Sequence, residues 1–140
     1  MNIFFQKEKF IFHSELKKFS SKNEFSGSIS SFLGKVRLNS DKNKVKFLEI
    51  EFYKKMAYFQ TKKKLDNILK KVKIDDFLII HRYGKLFPGE NIILVLVASK
   101  HRKDGLTFTS KSVEWFKKEI TFWKKENFKS HSLWVESEYK

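Results

Sequence analysis

Two almost unbroken apolar segments, residues 77–82 and 92–98, place the tightest limit on how this chain can fold. Short apolar runs rich in branched side chains are typical of strands that are buried on both faces. Pro88 and Gly89 lie between the two segments and form a common turn sequence. The pattern therefore predicts two central antiparallel strands joined by a loop over residues 83–90.

The remaining elements are predicted to surround this hairpin in a single domain over residues 1–140. Residues 44–53 alternate between apolar and polar positions, which is typical of a half-buried strand. Residues 55–72 and 104–120 change to a helical period. The other predicted elements are a strand or buried segment at 3–12, a short helix beginning near Ser14, a polar loop at 20–23, a strand at 27–37, a turn at 39–43 and a last strand at 133–135. Because strands and helices do not alternate strictly, we expect an α+β fold with a mainly antiparallel sheet and packed helices.

The composition excludes several kinds of site and of protein. The 140 residues include no cysteine, which excludes disulfides, thiolate zinc sites and cysteine nucleophiles. The four histidines lack the HxxH and HExxH spacings of metal sites, so no metal is expected. No apolar run approaches the roughly 18–20 residues that span a bilayer, and residues 1–7 lack the pattern of a signal peptide. We therefore expect a soluble, cytoplasmic protein.

Positive charge is concentrated on the helix predicted near residues 54–73. This segment holds eight lysines and one acid, Asp66, in a chain with a formal net charge of +14. One interpretation is a basic nucleic-acid-binding module that uses this helix. The alternative is the solvated side of an amphipathic helix. Its apolar face would then hold Tyr58, Leu65, Ile68, Leu69 and Val72. The chain has only three arginines and no recognised nucleic-acid motif, which favours the alternative.

A lysine lies on the apolar stripe of the helix predicted at 104–120. At 100° per residue, Leu106, Val113, Lys117 and Ile120 fall in one narrow sector. If Lys117 is buried there, its pKa falls and its amine can serve as a base or nucleophile. Alternatively, Lys117 lies near the helix end and extends to water. Phe108 and Trp115 fall on the opposite side, which indicates either a subunit interface or a deeply buried helix.

Two His-Arg pairs, His81-Arg82 and His101-Arg102, hold two of the three arginines. The pairs are predicted at opposite ends of the central hairpin, so they need not share a site. His101-Arg102 directly precedes a helix, where free N–H groups and the helix dipole favour anions. This pair could therefore bind a phosphate or carboxylate, or it could be a basic surface turn.

An ordered set of motifs resembles one known family from Phe32 to Glu136. The motifs are G-K-V-R at 34–37, L-E-I-E-F-Y-K-K-M at 48–56, I-I-H-R-Y-G-K-L-F-P-G at 79–89, S-K-H-R at 99–102, Lys117, F-W-K-K-E at 122–126 and W-V-E at 134–136. In this order and spacing they resemble the large, catalytic subunit of molybdopterin synthase, the MoaE-like family. Any one motif is weak evidence, but the ordered set is highly specific.

The resemblance implies an α/β-hammerhead fold and a sulfurtransferase. The implied reaction moves two sulfurs from the C-terminal Gly-Gly thiocarboxylate of a small ubiquitin-like carrier subunit, which is MoaD-like. The acceptor is cyclic pyranopterin monophosphate, and the product is the dithiolene of molybdopterin, in molybdenum cofactor biosynthesis. The implied assembly is a homodimer at the centre of a heterotetramer. The resemblance implies no cofactor, no membrane and no nucleic acid.

The resemblance also assigns residue roles. Lys117 and Lys124 match the family's lysines nearest the chemistry, which implies catalytic acid-base and intermediate-stabilising roles. The implied substrate-binding residues are Lys35, Val36, Arg37, His101, Arg102, Lys125 and Glu126. Among these, Arg37, His101 and Arg102 match positions that hold the phosphate and the pterin.

Overall fold

A computed structural model describes residues 1–40, 43–120, 122–128 and 131–135. Three helices and ten strands follow one another along these residues. In chain order they are β1 (Asn2–Gln6), α1 (Phe12–Lys22), β2 (Ser28–Lys35), β3 (Asn39–Ser40), β4 (Asn43–Lys44), β5 (Phe47–Phe52), α2 (Lys54–Ile68), β6 (Asp76–Arg82), β7 (Gly84–Leu86), β8 (Asn91–Ser99), α3 (Arg102–Lys118), β9 (Phe122–Asn127) and β10 (Ser132–Trp134). The content confirms the predicted α+β class.

The central hairpin is the middle of a four-stranded sheet with the order β1-β6-β8-β2. Strands β6 and β8 pair antiparallel, with Asp76 opposite Ala98 and His81 opposite Ile93, as the two apolar segments predict. Their residues are almost all buried because the sheet is covered on both faces. Among the strand pairs of the described residues, only β1 departs from an antiparallel arrangement, because it pairs parallel with β6 at the edge of the sheet.

A second four-stranded sheet, β10-β9-β5-β7, is built on the alternating strand β5. Strand β9 runs antiparallel to β5, with Ile50 opposite Lys124. The prediction of a loop over 83–90 is wrong in part, because β7 in this segment pairs with the other side of β5. Gly84, with φ of +88°, makes the turn that carries the chain from the first sheet to the second.

Helix α3 buries the opposite side from the one that the sequence indicates. Its buried residues are Gly105, Phe108, Thr109, Ser112, Trp115 and Phe116. Phe108 is fully buried and contacts the ring of Phe77, whereas Leu106 is 55% exposed. The predicted apolar stripe is therefore wrong at Leu106 and Lys117, although Ile120 is buried and Val113 packs against the core. The side with Phe108 and Trp115 packs inside this chain, which confirms the alternative of a deeply buried helix.

The other two helices also depart from prediction in detail. Helix α1 continues to Lys22, so the predicted polar loop at 20–23 is wrong; the buried residue of this helix is Phe19. The buried residues of α2 are Ala57, Thr61, Leu65 and Ile68. Tyr58 and Leu69, predicted on the apolar face, are each 38% exposed. The turn predicted at 39–43 lies partly outside the described residues. Glu136, the last residue of the W-V-E motif, also lies outside them.

Candidate active site

A cavity of about 410 Å³ lies between the two sheets, at the C-terminal end of α3. Several stretches that lie far apart in the sequence supply its walls, which explains why no single motif reveals it. Its lining comprises Phe32, Leu33, Gly34, Lys35, Val36, Arg37, Leu48, His81, Ile92, Ile93, Val113, Phe116, Lys117, Lys124, Glu126 and Val135. The lining therefore combines an apolar wall with four cations and one carboxylate, which suits a small anionic ligand with an apolar part.

The segment after β2 is fixed against the 83–90 loop. The N–H of Val36 donates to the carbonyl of Glu90 at 2.9 Å, and the N–H of Gly89 donates to the carbonyl of Val36 at 2.9 Å. Val36 is buried, while Lys35 and Arg37 on either side are exposed. This double anchor holds both cations at the edge of the cavity.

Gly34 allows two strands to approach closely beside the cavity. A Cβ atom at this position would lie 2.6 Å from Cγ2 of Ile93 on β8. The register of β2 against β8 shifts between Gly34 and Lys35, where a bulge bends the strand. Gly34 and Lys35 at this point of β2 both line the cavity.

Strand alternation separates the three charged residues of β9. Lys124 and Glu126 line the cavity. Lys125, between them, points to the other face of the sheet, as strand geometry requires. There its Nζ lies 4.0 Å from Oε2 of Glu49 and 5.3 Å from the ring centre of Trp134. The structure therefore does not bring Lys125 into the cavity with its two neighbours.

Lys117 lies in the last turn of α3 and is exposed, so the interpretation that it is buried on an apolar stripe is wrong. Val113 and Phe116, on the same turn of the helix, form part of the cavity wall beside it. The C-terminal end of a helix favours a positive charge. Lys117 thus brings a charged amine to the cavity from the helix, while Lys124 brings another from the sheet.

His101 and Arg102 lie at the other end of α3. His101 is the N-cap residue and Arg102 the first helical residue, and both are exposed. Fifteen residues separate Arg102 from Lys117, which corresponds to about 22 Å along an α-helix. Within one chain, therefore, the predicted phosphate-binding pair does not reach the cavity.

His81 lines the cavity although sequence reasoning gave it no role. It is 2% exposed, and its Nδ1 lies 2.9 Å from the carbonyl oxygen of Arg82. Burial, together with the positive charge of Lys124, lowers the pKa of His81 to about 3. The ring is therefore neutral at physiological pH. The sequence held one signal that could have pointed to His81, because a histidine within an otherwise apolar central strand is unusual.

Arg82, the neighbour of His81, has a different task. It is buried, and its guanidinium donates to the carbonyls of Lys7 and Asn91 and to the carboxylate of Glu90, at 3.0 to 3.3 Å. These bonds tie Lys7, which follows β1, and Glu90, at the end of the 83–90 segment, to β6. Arg82 therefore supports the cavity wall from outside the cavity.

The MoaE protein family profile matches residues 5–119, which run from β1 to the end of α3. The chain belongs to the MoaE protein family. Lys117 lies within the matched residues, and Lys124, Lys125 and Glu126 lie beyond them. Within the described ranges, no group of three or more His, Asp or Glu side chains is placed to hold a metal ion. Every helix of the described residues falls short of the length and apolar character that crossing a bilayer requires.

Relatives in the MoaE family carry the same printed name. The molybdopterin synthase catalytic subunit of Pyrococcus abyssi is 38% identical over 112 residues, covering 80% of this chain and 76% of that protein. The protein of this name from Ralstonia nicotianae is 35% identical over 111 residues, covering 79% of this chain. The chain spans 63% of the length of the Ralstonia protein.

Two solved structures share the fold of this chain over almost its whole length. The crystal structure of molybdopterin synthase from Staphylococcus aureus is 28% identical, has a TM-score of 0.82, and covers 94% of this chain and 95% of its own. A protein-protein complex of subunits 1 and 2 of molybdopterin-converting factor from Helicobacter pylori is 17% identical, with a TM-score of 0.80 and coverage of 97% and 91%. These matches confirm the fold that the resemblance implies.

Proposed function

We propose that this protein is the catalytic subunit of a molybdopterin synthase. It would transfer two sulfurs from the C-terminal thiocarboxylate of a small ubiquitin-like carrier subunit to cyclic pyranopterin monophosphate, forming the molybdopterin dithiolene. One observation carries the proposal: in a chain of the MoaE family, Arg37, Lys117 and Lys124 come from three separate segments of the chain to one cavity. The cytoplasm remains the predicted location.

The cavity has the chemistry that this reaction needs. Both reactants are anionic, and the cations of the lining attract and orient them. A thiocarboxylate sulfur is already a good nucleophile, so the protein mainly has to align the reactants and move protons. Lys117 and Lys124 are the proposed proton donors and acceptors, and they also stabilise negative charge that develops on the intermediate. The apolar wall limits access of water to that intermediate.

The carrier subunit is the proposed protein partner. A catalytic subunit requires at least one further subunit, and the Helicobacter pylori structure with this fold is a complex of two different subunits. The proposed assembly is a heterotetramer with a homodimer of this chain at its centre. Helix α2, with its exposed lysines, contributes nothing to the cavity, so the nucleic-acid alternative gains no support from the site.

Reconstitution tests the proposed function directly. The purified protein, a thiocarboxylated MoaD-like carrier and cyclic pyranopterin monophosphate are combined, and the dithiolene product is measured. We expect product only when all three are present and the carrier ends in the thiocarboxylate. No product with an otherwise active carrier would contradict the proposal.

Adjacent lysines on β9 offer a matched test of the site. Lys124→Ala is expected to lower kcat by about 100-fold or more, because Lys124 faces the cavity. Lys125→Ala is expected to stay within about threefold of the unaltered protein, since Lys125 points away from the cavity and a half-buried ion pair with a 4.0 Å separation contributes little. Steady-state kinetics of the reconstituted enzyme measure both. Equal losses of kcat in the two variants would contradict the assignment of Lys124, and not Lys125, to the reaction site.

Because His101 and Arg102 lie far from Lys117 in one chain, we propose that they act in the cavity of a second copy of the chain. Two inactive variants, Arg102→Ala and Lys117→Ala, should then restore activity when they are mixed and allowed to exchange. In a randomly mixed symmetric dimer, half the dimers are mixed and each has one intact site, so about a quarter of full activity is expected. Continued inactivity of mixed dimers, verified by mass spectrometry, would place Arg102 outside the site.

A further inference from the structure

His81 joins the two elements that carry the site lysines. Its ring stacks on Phe122 of β9, with ring centres 4.2 Å apart and planes at 10°. It also contacts Phe116 of α3, with ring centres 5.4 Å apart. Phe116 directly precedes Lys117, and Phe122 precedes Lys124 by two residues. The imidazole therefore lies where the helix and the strand meet.

The same geometry places Lys124 beside the imidazole. Residues two apart on a strand point to the same face, so Lys124 emerges on the face of β9 on which Phe122 stacks against His81. Both His81 and Lys124 line the cavity, and the charge of Lys124 is close enough to lower the pKa of His81. The next step depends on which imidazole nitrogen faces this amine.

The hydrogen bond to the backbone fixes the tautomer of His81. A carbonyl oxygen can only accept, so the Nδ1 atom that lies 2.9 Å from the Arg82 carbonyl must carry the proton. The ring is neutral, so Nε2 carries a lone pair and can only accept.

The other charged groups that line the cavity are Lys117 of α3, Glu126 of β9, and Lys35 and Arg37 at and just after the end of β2. Arg82, the neighbour of His81 on β6, forms an ion pair with Glu90.

We propose that His81 is a positioning residue for the sulfur-transfer site, whose Nε2 accepts a hydrogen bond from the Lys124 amine and holds it against the reacting groups. The inference rests on the proposed function, because it gives His81 a role in that reaction. A neutral acceptor suits this task better than a carboxylate would. It orients the ammonium group without neutralising the charge that the anionic reactants need.

Two substitutions distinguish the role of the Nε2 acceptor of His81 from that of its aromatic ring. His81→Phe keeps an aromatic ring for Phe122 and Phe116 but removes the acceptor. His81→Gln loses the ring but keeps an amide oxygen as an acceptor. We expect His81→Phe to lower kcat by about 10- to 100-fold with KM changed less than about threefold, as for loss of one hydrogen bond to a charged group. His81→Gln should recover most of that loss. The reverse order, with Phe active and Gln inactive, would make His81 a purely structural residue and overturn the proposal.

A measurement without turnover keeps the inference separate from the proposed function. In the full chain labelled with ¹⁵N-histidine, the His81 resonances are assigned by their loss in His81→Phe. We expect the Nδ1–H tautomer with no protonation from about pH 5 to pH 9. An Nε2–H tautomer, or titration within that range, would overturn the proposal even if the enzyme is active. If the protein makes no dithiolene at all, the proposed function fails while the tautomer result stands.

Discussion

Replacing Lys117 with alanine is expected to lower kcat of the reconstituted enzyme by roughly 100- to 10,000-fold, the range for loss of a positioned acid-base group. Lys117 brings the amine of α3 to the cavity, where Lys124 approaches from the sheet. The substitution should leave stability almost unchanged, because the Lys117 side chain is exposed. Dithiolene formation at saturating carrier and pterin measures the effect.

Two further variants define what Lys117 contributes. Lys118→Ala, one residue along the same helix turn and absent from the cavity lining, is the matched control and should retain activity. Lys117→Arg keeps the positive charge but cannot give up a proton near neutral pH. Low activity of Lys117→Arg would therefore assign proton transfer, and near-normal activity would assign charge stabilisation. Full activity of Lys117→Ala would refute both roles.

Replacing Phe108 with alanine is expected to destabilise the protein by about 3–5 kcal/mol. The Phe108 side chain is fully buried, with its ring centre 5.3 Å from that of Phe77 and 6.2 Å from that of Trp115. Removing the ring leaves a cavity between α3 and the first sheet. A small domain has only about 5–15 kcal/mol of stability, so this change consumes a large part of it.

Leu106→Ala is the matched control on the same helix. Leu106 is 55% exposed, so its removal should change the free energy of unfolding by no more than about 0.5 kcal/mol. Urea denaturation followed by circular dichroism measures both variants. Similar losses for the two variants would contradict the orientation of α3 and favour the apolar stripe that the sequence alone indicates.

The orientation of α3 could not be predicted from the periodicity of apolar residues in the sequence. The buried face of α3 contains Gly105, Thr109 and Ser112, which hydropathy does not mark as core. These small residues let the helix lie close to the sheet; a Cβ at Gly105 would lie 2.6 Å from Oγ of Ser99. Strands β6 and β8, in contrast, were predictable because both of their faces are buried and nearly every side chain is apolar.

The residues of the candidate site also differ in how far the sequence predicted them. Lys35, Val36, Arg37, Lys117, Lys124 and Glu126 were all singled out from the sequence, and the structure brings them to one cavity. His81 received no role because its position depends on a contact between β6 and β9 that local pattern does not encode. Lys125, His101 and Arg102 were grouped with the site by motif, but strand alternation and helix length separate them from it. Their roles stay predictions.

The wide spacing in the sequence of the residues that line the cavity also has a consequence for folding. The lining residues at 32–37, 48, 81, 92–93, 113–117, 124, 126 and 135 meet only when both sheets and α3 are in place. Pairing of β1 with β6 must moreover close a loop of more than 70 residues, as the register of Asn2 with Leu78 shows. Such long-range closure is slow and comes late relative to local helix formation. A nascent or partly unfolded chain would therefore lack the complete cavity, so recovery of the proposed activity during refolding would report completion of the whole tertiary structure.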